Sequence, residues 1–461
     1  MAEHSARGKP NIWYVHPYAG GPGVGRYSRP YYLARHWLQS GAQATVFTPA
    51  FHHLLDAPQI AGTRDIAGVP YEFVPARSYQ GNGAGRLLHM AAFSLKMRLQ
   101  AEKFARQHGR PDLVVASSPH PYAFLATHAL ARKFGARSVF EVRDLWPLSL
   151  TELAGVAPSH PLVRFTGWVE RYAHRNADNV VSLLPCTLEH MVATGMPPEH
   201  WRYIPNGVHT DESAPTAGPA SDHPSIQLAR QWREAGRAVV VYAGALGRPN
   251  YVDSLVQAIA HLRDQGDTSV SAIIVGRGEL QEELRATIDH LRLNDRIALF
   301  EQMPKQTVLT LLAHASVGYI SLRKEPLFRF GVSPNKLFDY MLARLPVLFA
   351  LQAGNDPVRE AGCGVSATPG DIPAIAEGLR QLAQLSETER REMGERGHAY
   401  VLAHHSYETL ARAYLDLASS RSHEDAYRRH RGFRIHRPGA IALSGFARTP
   451  GRRLHASRRT Q

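Results

Sequence analysis

The chain has 461 residues, which at roughly 100–200 residues per domain makes two or three domains. Hydrophobic residues at 44% and charged residues at 20% exclude a disordered chain, and two cysteines, Cys186 and Cys363, exclude a disulfide framework. The net charge of +13 is localised, because residues 421–461 hold eleven Arg against Glu424 and Asp425, a net of +9, leaving +4 for the rest.

The first residues, MAEHSARGKPNIW, contain no apolar core of a secretory signal, and no stretch approaches the ~18 apolar residues of a membrane span. A cytoplasmic protein is expected. NIWYVH (11–16) reads as a buried strand ending in a Gly-rich turn, and RYSRPYYLARHWLQSG as the helix after it. Tyr31, Leu33, Ala34, Trp37 and Leu38 fall on one side of that helix and Gly41 stops it. Further strands are predicted at 44–50, 112–118, 138–144 and 179–185, separated by helical segments that include a single helix over 84–110. Residues 211–237 are rich in Pro, Ser and Ala, and a domain boundary is expected there. The pattern restarts at 238–244 and continues through 269–276, 296–302, 316–322 and 345–350. Strands alternating with helices predict an α/β protein of two doubly wound, Rossmann-like domains facing across a cleft. The expected divisions are 1–212, 213–400, a C-terminal helix over 401–420 packing back toward the first domain, and a basic, disordered tail over 421–461.

Several chemistries are excluded by spacing. Gly20-Gly21-Pro22-Gly23-Val24-Gly25 does not fit G-x-G-x-x-G, and no Asp or Glu lies between Arg26 and Leu55 to hold a ribose, so a nicotinamide cofactor is not expected. There is no P-loop, no pair of Asp residues two apart, no H-E-x-x-H and no C-x-x-C. The 25 histidines are scattered, and His52–His53 and His404–His405 read as ordinary side chains.

Two segments retain a chemical use. The glycines around Gly21 and Gly23 let backbone approach a ligand, and Arg26, expected at the start of the following helix, adds charge. The stronger run is Gly331-Val332-Ser333-Pro334-Asn335-Lys336-Leu337-Phe338-Asp339, a turn opening a helix at about Pro334. Free N–H groups of that first turn, with Lys336, suit a diphosphate. One charged hydrogen bond there contributes roughly 1.5–3 kcal/mol. Asp339 is placed to accept two ribose hydroxyls.

With YAGGPGVGRYSRPYYLA, EVRDLWP (141–147), ERYAHRNADNVVSL (170–183), IPNGVHTD (204–211), YAGALGRPNYVDSL (242–255), IIVGRGEL (273–280) and GVSPNKLFDYM in this order, the chain resembles family 4 glycosyltransferases of GT-B architecture. More narrowly it resembles the bacterial subgroup that includes L-fucosamine transferases of O-antigen and capsule assembly. The resemblance implies retaining transfer from a nucleoside diphosphate sugar, UDP-linked and with an N-acetylated amino sugar as the candidate group, with no metal and no cofactor beyond that co-substrate. The second domain would hold the donor and the first a lipid-linked or saccharide acceptor. Asp339 matches the second acid of the family's E-x7-E motif, and the first falls on Gly331. The cations usual after the first glycine of the second domain, Gly244, are replaced by Ala245 and Asn250. Arg248, Arg277 and Lys336 are therefore the candidates to grip the diphosphate, beside Ser333 and Asn335. On the acceptor side stand Arg26, Tyr27 and Ser118. His120 and Asp144, with Lys336, are the candidate catalytic residues, although Ser117 or Ser118 could take the place of His120 and Asp144 could merely cap a helix.

Residues 84–110 interleave Leu87, Leu88, Met90, Phe93, Leu95 and Met97 with Arg86, Lys96, Arg98, Lys103 and Arg106, a pattern suited to an anionic membrane surface. Such docking, strengthened by the tail, would place the enzyme peripherally on the inner face of the cell membrane. Two alternatives remain: a UDP-sugar 2-epimerase-like GT-B enzyme, and a nucleic-acid-binding protein acting through the Arg-rich tail. The body offers no basic aromatic patch for the latter, so no nucleic acid is expected.

Overall fold

The structure, a computed structural model, describes residues 9–79, 81, 84–210 and 222–419. The basic tail and the 212/213 division lie outside the described residues. The first sheet is formed by β1 (Asn11–Val15), β2 (Gln43–Pro49), β3 (Gly62–Ile66), β4 (Val69–Val74), β5 (Leu113–Ser118), β6 (Arg137–Val142), β7 (Asn179–Ser182) and β8 (Trp201–Tyr203). Its order is β3-β4-β2-β1-β5-β6-β7-β8, parallel throughout except for the β3–β4 pair. The second sheet is fully parallel: β9 (Ala238–Ala243), β10 (Val270–Val275), β11 (Ile297–Phe300), β12 (Val317–Ser321), β13 (Val347–Ala350) and β14 (Gly364–Ser366), in the order β11-β10-β9-β12-β13-β14. Every residue of β1 and of β10 is buried, which is why these strands read as unbroken apolar runs. The result is two Rossmann-like lobes.

Strand order dictates where ligands can sit. The order reverses between β1 and β5 in the first sheet and between β9 and β12 in the second, so each sheet opens a crevice beyond the carboxyl ends of those strands. The Gly-rich turn follows β1 and His120 follows β5. The Gly244–Asn250 loop follows β9, and the segment leading to Lys336 follows β12.

Cross-lobe contacts converge on that second segment. Asn206, just after β8, donates from its backbone N–H to Ser333 Oγ (3.1 Å) and from Nδ2 to the Ser333 carbonyl (2.8 Å). Arg329 meets Glu152 through two hydrogen bonds of 2.7 and 2.8 Å. Helix Glu387–His405, opened by a Ser386/Glu389 capping box, packs Val401 into the second lobe's core. Helix Tyr407–Ser419 instead sends Tyr407, Leu410, Ala411, Tyr414 and Leu417 into the core of the first lobe, and Trp37 donates to the Ala411 carbonyl at 3.0 Å.

The same helix completes a buried polar cluster. Glu141 on β6 pairs with Arg29 at 3.2 Å and accepts from the hydroxyls of Tyr14, Ser117 and Tyr414. Arg29 also donates to the carbonyls of Ile204 and Pro205. Burial alone would raise the Glu141 carboxyl, yet Arg29 and the three hydroxyls bring its pKa below the usual carboxylate value.

Three local expectations are corrected. The helix after the Gly-rich turn begins at Arg29, not Arg26; residues 26–28 lie before it, and Arg26 is an exposed residue whose N–H bonds the Leu54 carbonyl. The 84–110 segment is two helices, Ala84–Leu99 and Ala101–His108, broken at Gln100. The helix bearing Lys336 starts at Asn335, and Pro334 precedes it in extended conformation. Among the described residues, no helix is long and apolar enough to cross a membrane. Cys186 is exposed and Cys363 buried, both as free thiols.

Candidate active site

On the second lobe the geometry centres on Lys336. Its Nζ donates to the Tyr242 hydroxyl and to Asn250 Oδ1, each at 2.8 Å, and lies 4.4 Å from the centre of the Tyr242 ring. A Cβ at Gly244 would stand 2.8 Å from that Nζ, so the glycine is what lets the ammonium reach the end of β9. Burial pushes the Lys336 pKa down to about 8, leaving a cation at neutral pH held by neutral partners. A phosphate oxygen is the kind of group that satisfies such a site.

Gly331 has φ of +96°, and a Cβ on it would lie 2.6 Å from Pro185 Cδ and 3.0 Å from Asn355 Oδ1. No acid can occupy this position with the backbone as it is. Asn355 clasps the neighbouring Val332 through both backbone groups. Ser333 is engaged by Asn206, Asn335 is exposed at the helix start, and Asp339 lies one turn on, 30% exposed with Lys305 Nζ at 4.0 Å. The two arginines do not join Lys336. Arg248 is 79% exposed and faces Glu279 at 3.9 Å, while Arg277 is exposed on the loop after β10.

On the first lobe, His120 is buried with both ring nitrogens unpartnered, between the rings of Tyr18 and Tyr122. Burial, aided by the charge of Arg86, pushes its pKa down to about 3. His16, at the end of β1, stacks on Tyr27 at 4.5 Å and is held neutral by burial and by Arg143, whose Nη1 is 3.3 Å from Nε2. Arg143 covers the Tyr27 ring at 3.9 Å. The Tyr27 hydroxyl and Arg143 Nε are buried without a protein partner, as is Trp146 Nε1 three residues on. Native interiors rarely leave such groups unsatisfied, so a ligand that supplies partners is the natural complement. Asp144 follows Arg143 as an exposed residue whose carboxyl pKa is raised by the protein packed around it, against the pull of Arg143. It caps no helix, since the short π-helical turn Ser149–Leu153 starts beyond Leu148.

The remaining expected residues are less open. Gly21 is buried against Ile66, Tyr71 and Tyr31, and its N–H is taken by the Gly25 carbonyl at 3.1 Å, so it offers nothing to an anion. Gly23 is exposed at the tip of that turn with φ of +67°. Ser117 is committed to Glu141. Ser118 ends β5, and its side chain lies outside the described residues. Sequence reasoning missed His16, Tyr242, Asn206 and Trp146. His16 was read only as the end of a strand, although an imidazole closing an apolar strand before a glycine turn is itself a signal.

Residues 23–207 match the glycosyl transferase 4-like domain and residues 237–384 the glycosyl transferases group 1 domain, together more than two thirds of the chain. A GDP-mannose-dependent alpha-mannosyltransferase of Mycobacterium tuberculosis is 29% identical over 172 residues, 36% of this chain. That alignment spans 39% of the relative's own length. The putative colanic acid biosynthesis glycosyl transferase WcaI of Escherichia coli is 22% identical over 321 residues, 68% of this chain and 76% of that one. Among solved structures, Anabaena HepE in complex with UDP-glucose has a TM-score of 0.59 at 16% identity, covering 89% of this chain and 99% of HepE, a likeness of fold.

Proposed function

Since the chain belongs to the GT-B glycosyltransferases, with a 4-like first domain and a group 1 second domain, we propose that it moves a sugar from a nucleoside diphosphate sugar to a lipid-linked or saccharide acceptor. The observation that carries this reading is the Lys336 ammonium at the end of β9, beside Gly244 and the helix start at Asn335. That cluster suits a diphosphate, and Asp339, one turn on, suits the ribose. The donor proposed is UDP-linked, with N-acetylated amino sugars as the first to test. A kinship with the L-fucosamine transferase-like enzymes is part of the proposal, supported by the lack of an acid at 331. The process served would be surface polysaccharide synthesis, as the name of the WcaI relative suggests.

The transfer is proposed to retain anomeric configuration and to need no metal, in keeping with a sequence that lacks paired Asp residues two apart. The acceptor hydroxyl oxygen bonds the anomeric carbon on the face from which the diphosphate leaves. The bond from that carbon to the phosphate oxygen breaks, and the hydroxyl proton passes to the departing phosphate. Lys336 offsets the charge developing on that phosphate. A histidine with a pKa of about 3 is a poor base at neutral pH, so His120 orients the acceptor hydroxyl as a neutral hydrogen-bond partner, opposite Asp144. Catalysis is then mainly positioning and electrostatics.

A lipid-linked acceptor is supported by one surface feature. Leu88, Leu95 and Leu99 are 71%, 55% and 73% exposed on helix Ala84–Leu99, at spacings that put them on one face, flanked by Lys96 and Arg98. The test of the donor reading is thermal unfolding with UDP, UDP-N-acetylhexosamines, GDP and GDP-mannose. One nucleotide series should raise Tm in proportion to its binding, and Lys336→Ala should shrink the rise at a given ligand concentration. No shift with any of them would overturn the reading.

A further inference from the structure

The helix Pro161–Asn176 buries Val163, Thr166, Val169 and Ala173 and turns the opposite face outward, leaving Phe165 and Trp168 51% and 50% exposed. These rings are not scattered apolar groups. They continue a stack of near-parallel rings that starts at the candidate catalytic histidine. His120 to Tyr122 is 5.1 Å at 28°, Tyr122 to Phe165 is 5.8 Å at 23°, and Phe165 to Trp168 is 6.0 Å at 23°. The outer two rings, Phe165 and Trp168, line a groove of about 550 Å³, within the usual size of ligand sites, together with Pro147, Pro158, Arg164 and Arg171. The groove adjoins the candidate reacting centre: Pro147 lies three residues past Asp144, and Phe165 stacks on Tyr122, two residues past His120.

The chemistry of the groove selects its occupant. Flat, exposed aromatic faces carry negative potential that the C–H hydrogens of a pyranose ring meet favourably. Arg164 and Arg171 are exposed and form no ion pair among the described residues; Glu170, which feels the charge of Arg171, is itself bonded to His190 at 3.1 Å. Two exposed guanidiniums lining the same groove as the rings fit carboxylates, which they bind in bidentate fashion. An acyl chain would instead strip water from both cations without replacing it. We propose that this groove is the acceptor subsite and takes an acidic saccharide, with a sugar ring stacked on Phe165 and Trp168 and its carboxylates held by Arg164 and Arg171. This inference rests on the glycosyltransferase reading above and names the acceptor class for it.

The test is calorimetric titration of the full chain with hexagalacturonate and with neutral maltohexaose, alongside the Tm rise given by UDP. Hexagalacturonate is expected to bind at least tenfold more tightly than maltohexaose. Trp168→Ala should weaken it at least tenfold, and Arg164→Gln with Arg171→Gln should erase the preference for the acidic chain. Saturable binding of neither sugar, or binding unaltered in Trp168→Ala, would overturn the proposal while an intact UDP response left the donor reading standing. Loss of the UDP response in the unaltered chain would strike the donor reading instead. Binding to phosphatidylglycerol vesicles that Phe165→Ala and Trp168→Ala abolish, without saccharide binding, would make this face a membrane anchor and refute the acceptor assignment.

Discussion

The Nζ of Lys336 lies 2.8 Å from Oδ1 of Asn250, the position where related enzymes are expected to carry their own lysine. The positive charge missing from the β9 loop is thus delivered by a different element, across the open space that Gly244 leaves. Replacing Lys336 with Ala should weaken nucleotide binding by about 10- to 100-fold, the range of one charged hydrogen bond. Titration calorimetry with the cognate nucleoside diphosphate measures this directly.

The same lysine predicts a pH limb. Its protonated form binds the diphosphate, and with a pKa of about 8 that form is lost as pH rises through 8. Nucleotide affinity should therefore fall between about pH 7.5 and 9. In Lys336→Ala the residual affinity should be flat over this interval.

Gly331→Glu should fail to restore the acid that the family motif would place there. The left-handed φ of +96° and the 2.6 Å approach to Pro185 oppose any side chain. The variant should lose stability by about 1–3 kcal/mol, and Gly331→Ala should lose nearly as much. Chemical unfolding in urea compares the two, and a stable, more active Gly331→Glu enzyme would contradict the packing described.

Glu141→Gln leaves Arg29 as an uncompensated buried charge and should cost about 3–5 kcal/mol. Tyr414→Phe removes one hydrogen bond of that cluster and should cost about 1–2 kcal/mol. The order of the two losses, read from urea midpoints, is the discriminating result.

Acid sensitivity follows from the buried histidines. His120 and His174 have pKa values of about 3, and His52 and His405 of about 4, each lowered mainly by burial. They are neutral when folded but protonate near 6.5 when unfolded, so the unfolded chain binds more protons below that pH. Stability should be full above about pH 6.5 and decline toward pH 4. From these four groups proton uptake on unfolding near pH 5 should be between three and four protons, about 5 kcal/mol per pH unit.

Sequence patterning revealed the strands with continuous apolar runs and hid those that are short, exposed or interrupted. β3 (GTRDI) is largely exposed at a sheet edge, and β8 and β14 are only three residues long and half-buried. β4 carries Pro70 and Glu72, which mask its apolar alternation. In the site, the run from Gly331 to Asp339 was legible because its chemistry is contiguous. The first-lobe site was not: Arg143 reaches His16 across 127 positions, and Tyr414 reaches Glu141 across 273. Pairings at such separations are set by the fold, and composition carries no trace of them.

The helix Tyr407–Ser419 has a consequence for biosynthesis. It supplies part of the first lobe's interior and a hydroxyl for Glu141, yet it is the last described segment to be made. On the ribosome, then, the amino-terminal half must wait with an unfinished core and an incompletely satisfied charge while the whole second lobe is translated. The protein is assembled as a closed circuit, and only emergence of its far end lets its beginning settle.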